Sequence, residues 1–338
     1  MGYSASCSNH SIATKPAMSI FISIASYQDT LLPFTIKEAY EKAAWPDDLH
    51  FGIIDQSSSD TPYPVPDVIP PRQVSYVKID PKQTHGCSWA RSLAMSLVSS
   101  QDWFFQIDSH MMFEQDWDAI FIHKASGLLS ITPQCLISGY PAAFDFVDGL
   151  PTVKTTTQML RAHVVSESSS FVDGDPVLRF KTRDLPGMGA AEGFHLGGGC
   201  LFAPIEFVSK FPWDPYLYFS EEEASMAIRL FTHGWTIYQV AGMPILHLYH
   251  VPATATVPRR LHWDATDEAG PKPLWHRLVR RARKRMNVLV SEDSSSLGVY
   301  ALGVQRSLAD FAEACGIDYL KRELHPKAFT GPWTLPAA

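Results

Sequence analysis

Short apolar runs alternate with helix-like segments over the first 110 residues, and this alternation is the strongest constraint on the fold. Residues 18–25 are rich in β-branched and aromatic side chains, and residues 31–44 repeat apolar side chains at helical spacing until Trp45 and Pro46. Further strands are predicted at 49–55, 74–79 and 103–107, with a helix at 88–99. The pattern predicts an α/β fold with a mixed, mostly parallel sheet flanked by helices.

Polar residues stand where three of the predicted strands end. Ser26, Asp55 and Asp108 each follow an apolar run, and ligands of open α/β sheets bind beyond the carboxyl ends of the strands. We therefore expect the three tips to share one crevice. The chain has neither a Gly-x-Gly-x-x-Gly fingerprint after the first strand nor a Gly-Lys-Ser/Thr loop, which argues against dinucleotide and P-loop chemistry.

Asp108 and His110 are two residues apart after the run 103–107. Residues i and i+2 of extended chain point to the same side, so both can reach one cation while Ser109 faces away. One oxygen and one nitrogen ligand suit a divalent ion such as Mn²⁺, whereas a structural zinc site needs four protein ligands. The alternative is a capped strand end, because Asp and Ser often begin turns.

Three further motifs leave alternatives open. Residues 221–223, all glutamate, precede a helix-like stretch at 224–232, where they either meet the helix dipole or serve catalysis. The glycines at 197–199 either let the backbone approach a ligand closely or form a flexible turn. His247 and His250 follow an apolar strand, and one of them could complete a metal shell.

The remaining segments are read as connections or coverings. Residues 57–72 form a proline-rich surface loop, residues 149–193 form loops or short strands over the site, and the aromatic stretch 211–219 either lines an acceptor groove or simply packs. The basic run at 277–285 lies on a predicted helix, as a solvated face or as a partner site.

Composition narrows the class of protein. With 338 residues, 46% hydrophobic and 19% charged, the chain matches a soluble globular enzyme, and a net charge of −7 gives no reason to expect a nucleic-acid partner. Five cysteines without paired spacing indicate reduced thiols and a cytoplasmic location. No run approaches a membrane span, and residues 1–16 are expected to be disordered or frayed.

The order of the motifs resembles a known enzyme family. The matching elements are Asp108-Ser109-His110, Gly198-Gly199 with Phe202, Asp214-Pro215, residues 219–229, His247-Leu248-Tyr249, and in the tail residues 297–303, 306–311 and 315–318. This order is similar to that of the retaining UDP-sugar transferases of the GT-A fold, including polypeptide N-acetylgalactosaminyltransferases. The closer likeness is to cytoplasmic hydroxyproline N-acetylglucosaminyltransferases and their bacterial relatives.

The resemblance implies a GT-A catalytic domain at 17–265 and a helical C-terminal segment at 266–338 packed on it. It makes Asp108, His110 and His247 the ligands of Mn²⁺ or Mg²⁺, and Asp108 and Glu222 the catalytic residues. The implied donor contacts are Ser23, Ala25, Ser26, Asp55, Arg91, Asp108, Ser109, Gly198, Gly199 and Glu222. Arg229 also matches the family pattern, whereas Glu221 and Glu223 replace its usual glycine and asparagine.

The resemblance further implies transfer of GlcNAc from UDP-GlcNAc to a hydroxyl of a protein, peptide or small molecule, with retention of configuration by front-side attack. Two other classes of function remain open from the residues. One is a divalent-metal phosphoesterase or nucleotide-sugar hydrolase. The other is a noncatalytic nucleotide-sugar binding module.

Overall fold

The computed structural model describes residues 18–249, 257, 259–263 and 275–333. The predicted frayed N-terminus at 1–16 lies outside the described residues, as do His250 and most of 250–274. The strands are β1 (Ile20–Tyr27), β2 (Leu49–Gln56), β3 (Val74–Lys78), β4 (Trp103–Ile107), β5 (Met111–Phe113), β6 (Cys135–Ser138), β7 (Ala142–Val147), β8 (Leu150–Val153), β9 (Arg161–Val165), β10 (Phe180–Asp184), β11 (Ala190–Gly193), β12 (Cys200–Pro204), β13 (Thr236–Val240), β14 (Ile245–His247), β15 (Ile317–Asp318) and β16 (Glu323–Leu324). The helices are α1 (Leu32–Glu41), α2 (Cys87–Met95), α3 (Trp117–Leu129), α4 (Glu206–Lys210), α5 (Ser220–Thr232), α6 (Trp275–Leu289), α7 (Leu308–Cys315) and α8 (Pro326–Thr330).

A mixed sheet forms the centre of the fold, as the alternating pattern predicts. Its order is β11-β13-β6-β12-β4-β1-β2-β3. The pairs β1·β2, β1·β4, β2·β3 and β6·β13 are parallel, while β12 runs antiparallel to both of its neighbours. The strand and helix alternation at the start of the chain therefore builds one half of the sheet, and later strands complete the other.

Apolar side chains cover both faces of this sheet. Ile22 and Ile24 of β1 pack with Ile36 of α1 and with α3 on one face, and Phe21 packs with α4 and α5 on the other. Strands that are buried on both faces are continuous apolar runs rather than alternating ones. The first strands could therefore be predicted from the sequence. No helix within the described ranges is both long and apolar enough to cross a bilayer.

Residues 149–193 form short strands, as one of the two predicted alternatives. One of these strands, β11, belongs to the central sheet instead of covering the site. β11 pairs antiparallel with β13, with Ala190 opposite Val240 and Gly193 opposite Ile237, and so forms an edge of the central sheet. Its four residues, Ala-Ala-Glu-Gly, have low β propensity. Pairing with β13 rather than local preference therefore makes this segment a strand.

The loop at 57–72 is irregular up to a 3₁₀ turn at Pro71–Gln73, as predicted, but it is not wholly on the surface. Val65 and Ile69 are buried in the core cluster that covers β2, whereas Tyr63 is 59% exposed. The loop is thus anchored by two aliphatic side chains.

The C-terminal segment packs on α5. Met286 and Leu289 of α6 and Phe311 of α7 share one apolar cluster with Ala224 and Ile228 of α5. The basic run lies on α6 with Leu278, Ala282 and Met286 buried and the charged side chains mostly outward, which favours the solvated-face interpretation.

Two arginines, the buried Arg229 and the half-buried Arg306, tie this segment to the end of α5. Arg229 donates to the carbonyls of Pro212 (2.9 Å) and Val299 (3.2 Å), and Arg306 donates to those of Phe231 (2.7 Å) and Trp235 (2.6 Å). Carbonyls at a helix C-terminus lack partners within the helix, so Arg306 satisfies one of them. Arg229, which matches the family pattern, is thus a structural link, and burial lowers its pKa to about 10.

We predict that Phe311→Ala lowers the free energy of unfolding by about 3–5 kcal/mol, because a buried aromatic side chain is removed and a cavity remains. Urea denaturation followed by circular dichroism measures the change. Val304→Ala is the matched control in the same segment, because Val304 is 100% exposed. This substitution should lower the free energy of unfolding by less than about 0.5 kcal/mol. Equal effects of the two substitutions would contradict the docking of α7 on α5.

Candidate active site

Asp108, His110 and His247 converge at the carboxyl end of β4. Asp108 and His110 lie in the turn between β4 and β5, and β14 pairs antiparallel with β5 so that His247 lies opposite Met111. His110 Nε2 is 2.9 Å from His247 Nε2, and Asp108 Oδ2 is 3.3 Å from His247 Nε2 and 3.8 Å from His110 Nε2. The structure therefore brings together the three residues that the sequence proposed as ligands.

The geometry and charge of this cluster fit one divalent cation. The three ligand atoms lie within 4.8 Å of one another, and atoms at about 2.0–2.2 Å from one ion lie roughly 3–4 Å apart on neighbouring positions. Burial lowers the pKa of His247 to about 4, which leaves the imidazole neutral and able to bind a metal at pH 7. Burial alone would raise the pKa of Asp108, but the hydrogen bond with His247 and the charge of Arg91 hold it well below its usual range.

Asp29, which sequence reasoning missed, lies behind this cluster. Its Oδ2 is 2.7 Å from His110 Nδ1 and 2.7 Å from the Ser109 hydroxyl that donates to it, and its Oδ1 accepts from the Leu31 N–H at 2.9 Å. The Ser109 hydroxyl therefore faces Asp29, and the role of Ser109 as a donor contact stays a prediction. The signal was the position of Asp29, just after the tip of β1.

Arg91 joins two of the predicted site residues instead of facing solvent. Its guanidinium donates to Asp108 Oδ1 at 2.8 Å and also contacts Glu222 Oε1, and only 5% of its side chain is exposed. Two guanidinium nitrogens of Arg91 are thus engaged by carboxylates, and the contact of Arg91 with a nucleotide stays a prediction. Burial raises the pKa of Glu222 to about 8 even though Arg91 opposes this shift.

Gly198 and Gly199 give room to protein side chains. A β-carbon at position 199 would lie 2.6 Å from Asp108 Oδ2, and one at position 198 would lie 2.0 Å from Arg91 Nη1. The sequence suggested close approach of a ligand or a flexible turn. The close approach exists, but the approaching groups are Asp108 and Arg91.

Glu223 borders the same site and was read from the sequence only as a departure from the family pattern. Its Oε1 accepts from the Gly198 N–H at 2.6 Å, and its Oε2 lies 3.3 Å from His195 Nε2 and 3.4 Å from the Tyr140 hydroxyl. Its side chain is 26% exposed, against 3% for Glu222. Of the two neighbouring carboxylates, Glu223 is the more open to solvent.

The tips of β1 and β2 form the other end of the crevice. Ser26 lies opposite Asp55 in the parallel register, and the Tyr76 hydroxyl donates to Asp55 Oδ2 at 2.7 Å. The Ser26 hydroxyl is buried and has no hydrogen-bond partner in the described part of the chain. It can therefore form a hydrogen bond with a ligand. Ala25 is half-buried beside it, but Ser23 is fully buried three residues before the tip.

The aromatic stretch 211–219 is divided between two roles. Phe211, Trp213 and Tyr218 are buried, which favours packing, whereas Tyr216 and Phe219 are exposed by 50% and 44%. An acceptor groove built from this stretch would therefore use only its exposed members.

Comparisons with known proteins agree with this architecture. No curated protein sequence matches the chain. A solved structure with a similar fold is the crystal structure of GalNAc-T7 with UDP, GalNAc and Mn²⁺, at a TM-score of 0.54 and 12% identity over 71% of this chain. This chain spans 46% of that structure's length, and the likeness concerns the fold, which is the GT-A fold. The sequence model of the family described as Glycosyltransferase (GlcNAc) matches residues 64–321. The chain belongs to this GlcNAc glycosyltransferase family.

Proposed function

We propose that the chain transfers a sugar from a UDP-sugar to an acceptor hydroxyl and holds a divalent cation, Mn²⁺ or Mg²⁺, with Asp108, His110 and His247. One observation carries the proposal, namely the convergence of these three ligand atoms within 4.8 Å at the edge of the sheet where β1, β2 and β4 end. Family membership supports sugar transfer. The ligand set of oxygen and imidazole nitrogen supports a cation of this class.

The contacts of the residues around the cluster indicate a different role for each of them. A bound cation supplies Lewis-acid stabilisation to the departing diphosphate. Arg91 holds one oxygen of Asp108, so the other oxygen faces the two imidazoles. We assign Ser26 and Asp55 to the nucleoside, because the Ser26 hydroxyl lacks a partner and the two residues lie side by side.

We assign Glu222 to the hydroxyls of the transferred sugar. Its Oε1 contacts Arg91, while its Oε2 has no hydrogen-bond partner among the residues that the structure describes. With a pKa of about 8 the Glu222 carboxyl is largely neutral at pH 7, and each hydrogen bond between it and a sugar hydroxyl contributes about 0.5–1.5 kcal/mol to the orientation of the sugar ring. Glu222 and Asp108 are held on opposite arms of one guanidinium, so the sugar and diphosphate contacts would be fixed relative to each other.

Finer features of the reaction also belong to this proposal. The motif order supports GlcNAc as the sugar, membership of the hydroxyproline N-acetylglucosaminyltransferase group, and retention of configuration by front-side attack. Free thiols at Cys87, Cys135, Cys200 and Cys315 support a reducing compartment such as the cytoplasm.

One experiment tests the proposed function directly. The purified protein is incubated with a panel of UDP-sugars and Mn²⁺, with candidate hydroxyl acceptors, and UDP release is followed together with the mass of each acceptor. We expect UDP release coupled to a mass increase of one N-acetylhexosamine. UDP release without any modified acceptor would favour the hydrolase, and calorimetric UDP binding that ignores Mn²⁺ would favour the noncatalytic binding module.

The hydrolase alternative receives no particular support from the geometry. Two-metal hydrolases hold their ions about 3.5–4 Å apart and need more ligands than one set of three. Across the described ranges, a single cluster of three metal-ligating side chains occurs. The transferase therefore remains the function that we propose.

We predict that Asp108→Ala abolishes Mn²⁺ binding and lowers UDP release more than about 100-fold. Loss of a residue that binds the metal directly lowers metal affinity more than loss of a residue that only contacts a ligand, which costs about 10- to 100-fold. Isothermal titration with Mn²⁺ and a UDP-release assay measure the two effects. The control is Asp47→Ala, whose side chain is 83% exposed and precedes β2 at the opposite edge of the sheet. Normal turnover of Asp108→Ala in saturating Mn²⁺ would refute the ligand assignment.

For Glu222→Gln we expect sugar transfer to fall about 10- to 100-fold with UDP affinity largely kept, because the amide is nearly isosteric but gives weaker hydrogen bonds to the sugar. Steady-state kinetics and UDP titration separate the two. Glu221→Gln is the matched control, because Glu221 is equally buried but faces the Phe219 N–H. Unchanged transfer by Glu222→Gln would remove this residue from the site.

Gly199→Ala should weaken Mn²⁺ binding about 10-fold, because the added β-carbon would lie 2.6 Å from Asp108 Oδ2 and displace that carboxylate. Gly127→Ala is the control, since a β-carbon there meets nothing within 4 Å. Mn²⁺ titration of both variants gives the comparison. Equal affinities would show that the position of Asp108 does not depend on Gly199.

A further inference from the structure

Asp29 lies on the loop between β1 and α1, which crosses behind the turn that carries Asp108 and His110. Its side chain is only 6% exposed, and its two oxygens face three donors. Oδ1 accepts from the Leu31 N–H, while Oδ2 accepts from the Ser109 hydroxyl and contacts His110 Nδ1. Within the described residues, the hydrogen bonds of this carboxylate are therefore with the metal-ligand turn and with the start of α1.

The contact fixes which ring nitrogen of His110 carries the proton. A carboxylate that already accepts from an N–H and an O–H is an acceptor, so the 2.7 Å contact with His110 requires an N–H at Nδ1. In the neutral ring the lone pair is then on Nε2, which faces Asp108 and His247. This is the tautomer that binds a cation through Nε2.

His247 has no comparable support. Its Nδ1 is buried and has no hydrogen-bond partner within the described portion of the chain. The two imidazoles of the proposed centre therefore differ, because one is set in advance by a carboxylate and the other is not. Metal-binding histidines usually have an outer partner of this kind.

The backbone of the turn has a separate support. The Thr35 hydroxyl donates to the Ser109 carbonyl at 2.8 Å and accepts from the Met111 N–H at 2.8 Å, and Thr35 is fully buried. Removing the charge of Asp29 therefore leaves the turn held in place. The expected effect is on the His110 ring rather than on the fold.

We propose that Asp29 is a positioning residue that orients the His110 ring and selects the Nδ1–H tautomer, so that Nε2 faces the cation. The inference rests on the metal centre proposed above. Loss of an outer partner of a metal-binding histidine lowers metal affinity about 10- to 100-fold.

The test is Asp29→Asn. An asparagine that turns its amide nitrogen towards His110 favours the opposite tautomer, and one that turns it towards Leu31 meets an N–H instead of an acceptor. We expect Mn²⁺ affinity, measured from free Mn²⁺ by electron paramagnetic resonance, to fall about 10- to 100-fold. Transfer should recover at saturating Mn²⁺, which a general structural defect would not allow. Asp118→Asn is the control, because Asp118 is buried and accepts from the Ala44 and Trp45 N–H groups.

A second readout needs neither metal nor activity. Two-bond ¹H–¹⁵N spectra of the metal-free wild-type protein should show His110 protonated at Nδ1, and in Asp29→Asn this preference should weaken or reverse. Unchanged Mn²⁺ affinity of a folded Asp29→Asn variant would overturn the inference. Where that variant does not fold, wild-type His110 protonated at Nε2 would overturn it instead. A wild-type protein that binds no Mn²⁺ would overturn the metal centre itself, and the inference with it.

Discussion

The pairing of β14 with β5 is the interaction on which the rest of the site depends. It places His247 opposite Met111, and the Leu248 N–H donates to the His110 carbonyl at 3.1 Å, so the second imidazole is fixed beside the first. A slip of one residue would turn His247 to the other face of the strand, because side chains alternate along a strand. The ligand set is therefore defined by a register between segments that are far apart in the chain.

Charge balance is the second constraint. Asp108, Glu222 and Glu223 crowd around one buried guanidinium, that of Arg91, which contacts the first two. One positive charge does not offset three neighbouring carboxylates. Burial raises the pKa of Glu222, and the charges of Glu223 and Asp108 raise it further. A divalent cation beside Asp108 would offset this excess of negative charge, so the proposed donor site and the proposed cation site would form one electrostatic unit.

Helix α5 links this unit to the C-terminal segment. Its first turn carries Glu222 and Glu223, and its last turn is closed by Arg306 and packed by α6 and α7. Arg229 bonds to Pro212 and Val299 from the same helix. Because the helix is one rigid element, the packing at its far end helps to hold the carboxylates in position. The C-terminal segment thus supports the position of these carboxylates through α5.

The sequence by itself determined the first strands, their shared edge, and the pairing of Asp108 with His110, because these follow from apolar runs and from alternation along one strand. It also selected His247 through a motif order, without a physical reason to prefer it over His250. Only the tertiary structure decided that Arg91 bridges two carboxylates, that Asp29 supports His110, and that the weak segment β11 is a strand. These features depend on register and burial between distant segments, and local periodicity carries no information about either.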